Sequence, residues 1–364
     1  MRFWKCLVVV GFAVAATACG EGVEGDDSGV FVDVMDDHDV TVLDVIGSDS
    51  VLVDSSGWQD AELDQGVSDT TMPDLQIGVD TQPDVVFTGL YSEEPDVGNC
   101  IAGMVSDFEK RRVLDRVNYI RSLHRLPPVS YAGGGDSQTA ECSLIIAARR
   151  ELSHTPPKTW SCWSQDAFDG CNSSNIYVQW GRNRNQFDSL SVVDAFMTDE
   201  GVATLGHRRW LIDPWLSEIS FGRVDGNTFG SNTTGAAIQV IGGRQQDISD
   251  SDIEFVAYPF ENYPSELFND DVMMSLSVVA DRRQKFANAN QTVDFSGASI
   301  EVTGVHGTSL PVSSIAWDND GYGVPNNLRW QVGNTGSDDA FNVSVKNVKV
   351  VGINTEFNWS FRLD

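Results

Sequence analysis

No stretch of this chain limits its fold more than residues 20–97, which hold 21 Asp and Glu, no Lys or Arg, and few large apolar side chains. Like charges at that density repel one another, and too little apolar surface is present to offset the entropy of ordering the chain. The stretch is therefore predicted to be an extended, solvated tether, with an r.m.s. span of roughly 50 Å for a flexible chain of that length. It carries −21 of the formal charge of −29, to which Arg2 and Lys5 add +2 and residues 98–364 contribute −10, so folding falls to the later residues. Such acidity excludes nucleic acid as a partner, because phosphate neutralisation needs clustered Lys and Arg. Asp33, Asp36, Asp37 and Asp39 lack the Gly and Glu positions of an EF-hand loop, which argues against a calcium site there.

Arg2 and Lys5 precede an apolar run from Leu7 to Ala18. That run is shorter than the about 20 apolar residues that span a bilayer. Residues 1–18 read as a secretory signal peptide. Ala16-Thr17-Ala18-Cys19 resembles a bacterial lipobox, with Ala16 where leucine is usual, which predicts lipidation at Cys19. Plain cleavage near Ala18, giving a secreted protein, is the alternative. Either way the chain is expected to be exported, at the periplasmic or outer surface of a membrane if the anchor forms. Cys100, Cys142, Cys162 and Cys171 are even in number and contain no Cys-x-x-Cys pair, so two disulfides are expected rather than a zinc site. Of the three pairings, the shortest loop favours Cys162 with Cys171, which leaves Cys100 with Cys142.

Within residues 98–250 the pattern is first helical. Ser106-Asp107-Phe108-Glu109 reads as a capping box, followed by Val113, Leu114, Val117, Ile120 and Leu123 at helical spacing until Pro127-Pro128. Ala140, Leu144, Ile145, Ala148 and Leu152 mark a second amphipathic helix ending before Pro156-Pro157, and a third covers about 191–198. Ile219 to Val224 and Ala237 to Ile241 then switch to period two, predicting strands. Residues 251–364 are rich in β-branched and aromatic runs separated by Gly, Asn and Asp, such as Leu328-Arg329-Trp330-Gln331-Val332, and read as an all-β domain of the Ig-like sandwich kind. The fold class is α+β.

Four segments fall in a telling order: Glu151-Leu152-Ser153-His154-Thr155-Pro156, Ser173-Ser174-Asn175-Ile176, Asp194-Ala195-Phe196-Met197-Thr198-Asp199, and Gly206-His207. In that order they resemble the CAP superfamily of cysteine-rich secretory, antigen 5 and pathogenesis-related-1 proteins, also called SCP domains. The later β-rich part is similar to the appended domain of a bacterial two-domain CAP subgroup. The resemblance implies a three-layer α-β-α sandwich with a cleft holding two histidines and two acids, where metals such as zinc can sit. His154 and His207 match the histidines, Asp199 matches the second acid, and Ser174 stands where the first acid is usual. The implied metal ligands are His154, His207 and Asp199, and the implied ligand cleft adds Ser174.

With one carboxylate missing, a binding role for lipid, sterol or a cell-envelope polymer ranks first. A metal-dependent hydrolase acting on peptide or wall material is the alternative, with Asp199 or Glu200 as its base, and a structural surface protein is third. No Gly-x-Ser-x-Gly elbow surrounds Ser174, so no serine-hydrolase triad is assigned. His38, His124 and His306 are expected to be solvated. Arg208-Arg209 could attract an anion, but pairing with Asp213 or Glu218 is the expectation. The β-rich domain reads equally as a packing module or a wall-binding one.

Overall fold

The computed structural model describes residues 29–33, 89–181, 188–333, 335–336 and 338–364. The signal segment and Cys19 lie outside the described residues, as does most of the acidic stretch. In chain order the first unit runs β1 (Gly29–Asp33), β2 (Tyr91–Glu93), β3 (Met104–Val105), α1 (Asp107–Leu123), β4 (Ser130–Tyr131), α2 (Asp136–Arg149), α3 (Gln165–Asn172), β5 (Ser174–Gly181), α4 (Ser189–Thr198), α5 (Gly206–Leu211), β6 (Glu218–Thr228) and β7 (Ser231–Gln239). The second runs β8 (Phe255–Tyr258), β9 (Glu261–Tyr263), β10 (Met274–Val278), α6 (Asn288–Gln291), β11 (Ser299–Gly304), β12 (Val312–Asp318), β13 (Asn327–Val332), β14 (Ala340–Val350) and β15 (Ile353–Leu363).

Half of the expected capping box forms at α1: the Ser106 hydroxyl accepts from the Glu109 amide, while the Ser106 amide donates to the Leu90 carbonyl and Glu109 pairs with Arg112; Asp107 and Glu109 sit in the first turn where the helix dipole favours acids. Its stripe of Val113, Val117 and Ile120 is buried with Val192, Val193, Phe196 and Met197 of α4 against Tyr177, Phe221 and Ile238 of the sheet. Residues one step along the same strands, Ile176, Val178 and Ala237, turn to the other face and pack against Cys142, Ile145 and Ile146 of α2 and Ala167 and Cys171 of α3. Period-two alternation thus feeds two helical layers, and the expected three-layer arrangement follows. The central sheet has the order β1-β5-β7-β6-β4.

Two expectations are corrected in this unit. The disulfides are Cys100–Cys162 and Cys142–Cys171, not the predicted pairs. Loop length misled because Cys171 lies inside α3, a helix the sequence reading missed. That helix crosses α2 closely at Gly170, where an added Cβ would stand 2.0 Å from the Gln138 carbonyl oxygen and 3.2 Å from Cys142 Cβ. Its cysteine therefore faces Cys142, and Cys162, in the turn before the Ser164 cap, is left to reach Cys100. The packed unit also begins before residue 98: Tyr91 is buried and its hydroxyl donates to Asp225 at 2.8 Å. Within the stretch expected to be tether, β1 pairs antiparallel with β5.

The second unit is built from two four-stranded sheets, β12-β13-β10-β8 and β11-β14-β15-β9. It is strand-rich as expected, but β9 runs parallel to β15, so the pair of sheets is not purely antiparallel. One apolar cluster joins α1 and α4 to Tyr258, Tyr263, Phe268, Met274 and Trp330, so the two units share a core. Polar groups pin the seam. His124, expected to be solvated, is buried there, with Nδ1 2.8 Å from the Ala257 carbonyl and Nε2 3.2 Å from the Tyr263 hydroxyl. Burial, with some help from the Arg208 and Arg121 cations, brings its pKa down to about 3. Lys285 of the second unit reaches Asp213 of the first at 2.5 Å, both groups being buried.

Candidate functional site

Helix α2 ends at Arg149 because Arg150 takes the left-handed conformation, and the chain then turns back along α3. His154 lies in that return and is 5% exposed. Its Nδ1 is 2.8 Å from the carbonyl of Cys171, in the last turn of α3, where helix carbonyls have no partner within the helix. A carbonyl can only accept, so Nδ1 carries the proton and the lone pair of the neutral ring belongs to Nε2. The Cys142–Cys171 disulfide fixes the carbonyl that fixes the imidazole.

His207 is oriented by a carboxylate. Helix α4 closes with Asp199 in the left-handed conformation as its cap, at φ 54°. From there Asp199 Oδ1 accepts from His207 Nδ1 at 2.8 Å while Oδ2 accepts from the Arg208 amide at 3.1 Å. Phe196, one turn earlier on α4, stacks on the imidazole at 5.0 Å between ring centroids. His207 and Asp199 are each 1% exposed. The lone pair of the neutral His207 ring is again directed to Nε2.

A single short segment, 171–175, serves both histidines. Cys171 holds His154, and Asn175 Nδ2 donates to the His207 carbonyl at 3.1 Å. Between them Ser174 opens β5, and its hydroxyl is buried with no hydrogen-bond partner. The four residues expected at the site are thereby tied to one strand start and the two helix ends beside it. Both imidazoles are largely enclosed rather than open to a wide cleft.

A zinc ion takes imidazole nitrogen and carboxylate oxygen, four donors in a structural site and three with a water in a catalytic one. The two histidines fit that chemistry through Nε2, each steadied at Nδ1 by an oxygen acceptor, as metal-bound histidines are. Asp199 fits it less well as a third ligand, since both its oxygens are engaged in orienting His207 and Arg208. Among the described residues no group of three or more His, Cys, Asp and Glu stands ready for a metal.

Arg208 and Arg209 depart from expectation. Neither pairs with Asp213 or Glu218. The Arg208 guanidinium donates to the carbonyls of Met197, Thr198 and Met273 and lies 3.7 Å from the Tyr258 ring centroid. Arg209 donates to Asp318 at 2.8 Å and to the Val324 carbonyl at 3.0 Å. Both are buried in the seam between the units and are not an anion-binding surface. His306 is exposed in a turn, as expected, and His38 lies outside the described residues. Sequence reading missed Asn175, although its place directly after Ser174 at a strand start was a usable signal.

Residues 114–236 match the family model for CAP, the cysteine-rich secretory protein family. The match starts within α1, ends within β7, and contains His154, Ser174, Asp199 and His207. The first unit is thus similar to a CAP domain, and the second unit lies outside the match. No curated protein matches the chain.

Proposed function

We propose that this is an exported, membrane-tethered CAP-domain protein that binds a lipid or cell-envelope ligand at the site formed by His154, Ser174, Asp199 and His207, a reading ranked ahead of a metal-dependent hydrolase. The observation that carries this reading is the commitment of Asp199. Asp199, as the base of a metal-dependent hydrolase, would have to reach the attacking water, and it instead spends both oxygens on the His207 ring and the Arg208 amide. Two disulfides support folding in an oxidising compartment outside the cytosol. No described helix is long and apolar enough to cross a membrane. Attachment would therefore depend on Cys19. The extensive seam supports a packing role for the second unit.

A divalent metal would be held by His154 and His207 and would supply a Lewis-acidic contact for an anionic ligand group. The test uses the purified full chain with Cys19→Ala, titrated with zinc in a calorimeter and incubated with lipid vesicles and wall fragments. Modest zinc binding and ligand retention, both lost in His154→Ala and His207→Ala while circular dichroism is unchanged, are expected. Ser174→Glu should tighten zinc binding by adding an anionic donor. Metal-dependent turnover of a peptide or wall fragment that needs Asp199 would replace this reading with the hydrolase one.

A further inference from the structure

β5 is the strand that carries the site at its start. On its inner side it pairs with β7; on its outer side, among the described residues, it pairs with β1, in register from Gly29 opposite Trp180 to Asp33 opposite Ile176. Without β1 this edge would present eight residues of unpaired backbone, a template for unwanted strand addition. The covering segment comes from the most acidic part of the chain. Three cations sit over aromatic rings that pack on this strand: Trp180 belongs to β5, and Trp160 and Trp163 join it against the apolar cluster of Ile176 and Val178. The Arg150 guanidinium lies 4.4 Å from the Trp180 ring centroid, Arg149 5.4 Å from Trp160, and Lys158 5.1 Å from Trp163. Glu151 neutralises only Arg149, at 3.2 Å, and Arg149 Nε is buried with no partner. The loop bearing Lys158 and both tryptophans is pinned by the Cys100–Cys162 disulfide, so the cluster is held in place rather than assembled on demand.

We infer that the outer edge of β5, with the Arg149, Arg150 and Lys158 cluster beside it, is a strand-addition surface for the chain's own acidic stretch, and that Gly29–Asp33 docks there in cis as a strap. Main-chain pairing supplies the affinity, as in other strand-addition complexes. The cationic cluster supplies the attraction that draws a stretch of charge −21 to this edge rather than to another. Covalent linkage makes docking intramolecular, so a short strand suffices. If Cys19 is the anchor, the strap also sets reach. About ten residues from Cys19 to Gly29 span roughly 17 Å, against roughly 46 Å for the seventy or so residues from Cys19 to Gly89. That consequence rests on the proposed anchor; the strap itself does not.

The test is made on the full chain with Cys6→Ser and Cys19→Ala. Phe31→Cys with Val178→Cys places two thiols at directly opposed positions. Peptide mapping without reduction should recover this crosslink at least tenfold above that of Leu52→Cys with Val178→Cys, since Val51-Leu52-Val53-Asp54 repeats the pattern of Val30-Phe31-Val32-Asp33. Hydrogen exchange gives a readout free of added thiols. Phe31→Pro with Val32→Pro should lower protection at least tenfold at the β5 amides that face away from β7. Arg149→Gln, Arg150→Gln and Lys158→Gln together should lower the crosslink yield and remove its salt dependence. Equal yields from the Phe31→Cys and Leu52→Cys pairings, a crosslink joining two copies in a mixed-mass experiment, or unchanged β5 protection in the proline variant would overturn the inference.

Discussion

Replacing Asp199 separates its role as an orienting group from its role in the backbone. Asp199 sits at φ 54°, a conformation Asn tolerates and Ala does not, so Asp199→Asn changes the side-chain chemistry with little backbone cost. The carboxylate accepts two buried hydrogen bonds, from His207 Nδ1 and from the Arg208 amide. An amide can accept only one of them and turns its own N–H₂ toward the other donor. One buried donor is then unmatched, which costs about 1–3 kcal/mol. Asp199→Ala strands both donors and adds about 1 kcal/mol of left-handed backbone strain, giving about 3–7 kcal/mol in all. Urea midpoints followed by tryptophan fluorescence read the ranking, and nitrogen chemical shifts of the His207 ring read its tautomer. If the Asn variant lies within about 0.5 kcal/mol of the parent and His207 keeps its proton on Nδ1, the orienting role is refuted.

Other outcomes follow from the seam and the crosslinks. Since the His124 pKa falls from an ordinary 6.5 to about 3 on folding, the unfolded chain takes up a proton that the folded one refuses. Stability should therefore drop as the pH falls from 6.5 toward 3, by up to about 1.4 kcal/mol per unit, and His124→Asn should remove that part of the slope in urea melts across this window. Asp318 faces both Arg209 and Arg329, at 2.8 and 2.5 Å. Asp318→Asn should destabilise by about 3–5 kcal/mol, because it leaves buried cations uncompensated, and an unchanged melting temperature would contradict this. Gly323 has a φ of +65°, and a Cβ there would meet the Arg209 carbonyl oxygen at 2.3 Å. Gly323→Ala should loosen the seam and speed proteolysis between the units. Non-reduced peptide maps should recover Cys100–Cys162 and Cys142–Cys171.

How much was legible in the sequence depended on the range of the cause. Helix α1 was readable end to end because Ser106, the apolar stripe and Pro127-Pro128 all act within a few residues. The segments carrying His154, Ser174, Asp199 and His207 were readable by their order in the family resemblance, but the hydrogen bonds these residues make were not. That the Asp199 oxygens turn to His207 and the Arg208 amide depends on the left-handed cap at the end of α4, which no residue type announces. The disulfides were misassigned because helix α3 was overlooked, although Ser164 caps it and Asp166 sits in its first turn. His124, Arg208 and Arg209 were misjudged for a different reason. Their partners, Ala257, Met273 and Asp318, are supplied by a unit that begins more than forty residues later.

His207, Arg208 and Arg209 are consecutive, and α5 is barely more than one and a half turns of helix at 3.6 residues per turn. Three successive side chains therefore radiate from one short spindle. One meets the α4 cap, the next the Tyr258 ring, and the third Asp318. A spindle gripped on three sides cannot rotate to suit a ligand. Tilting of the β-rich unit would be geared directly into the angle of the His207 ring, which makes the β-rich unit a setting jig for the imidazole as much as a neighbour to it.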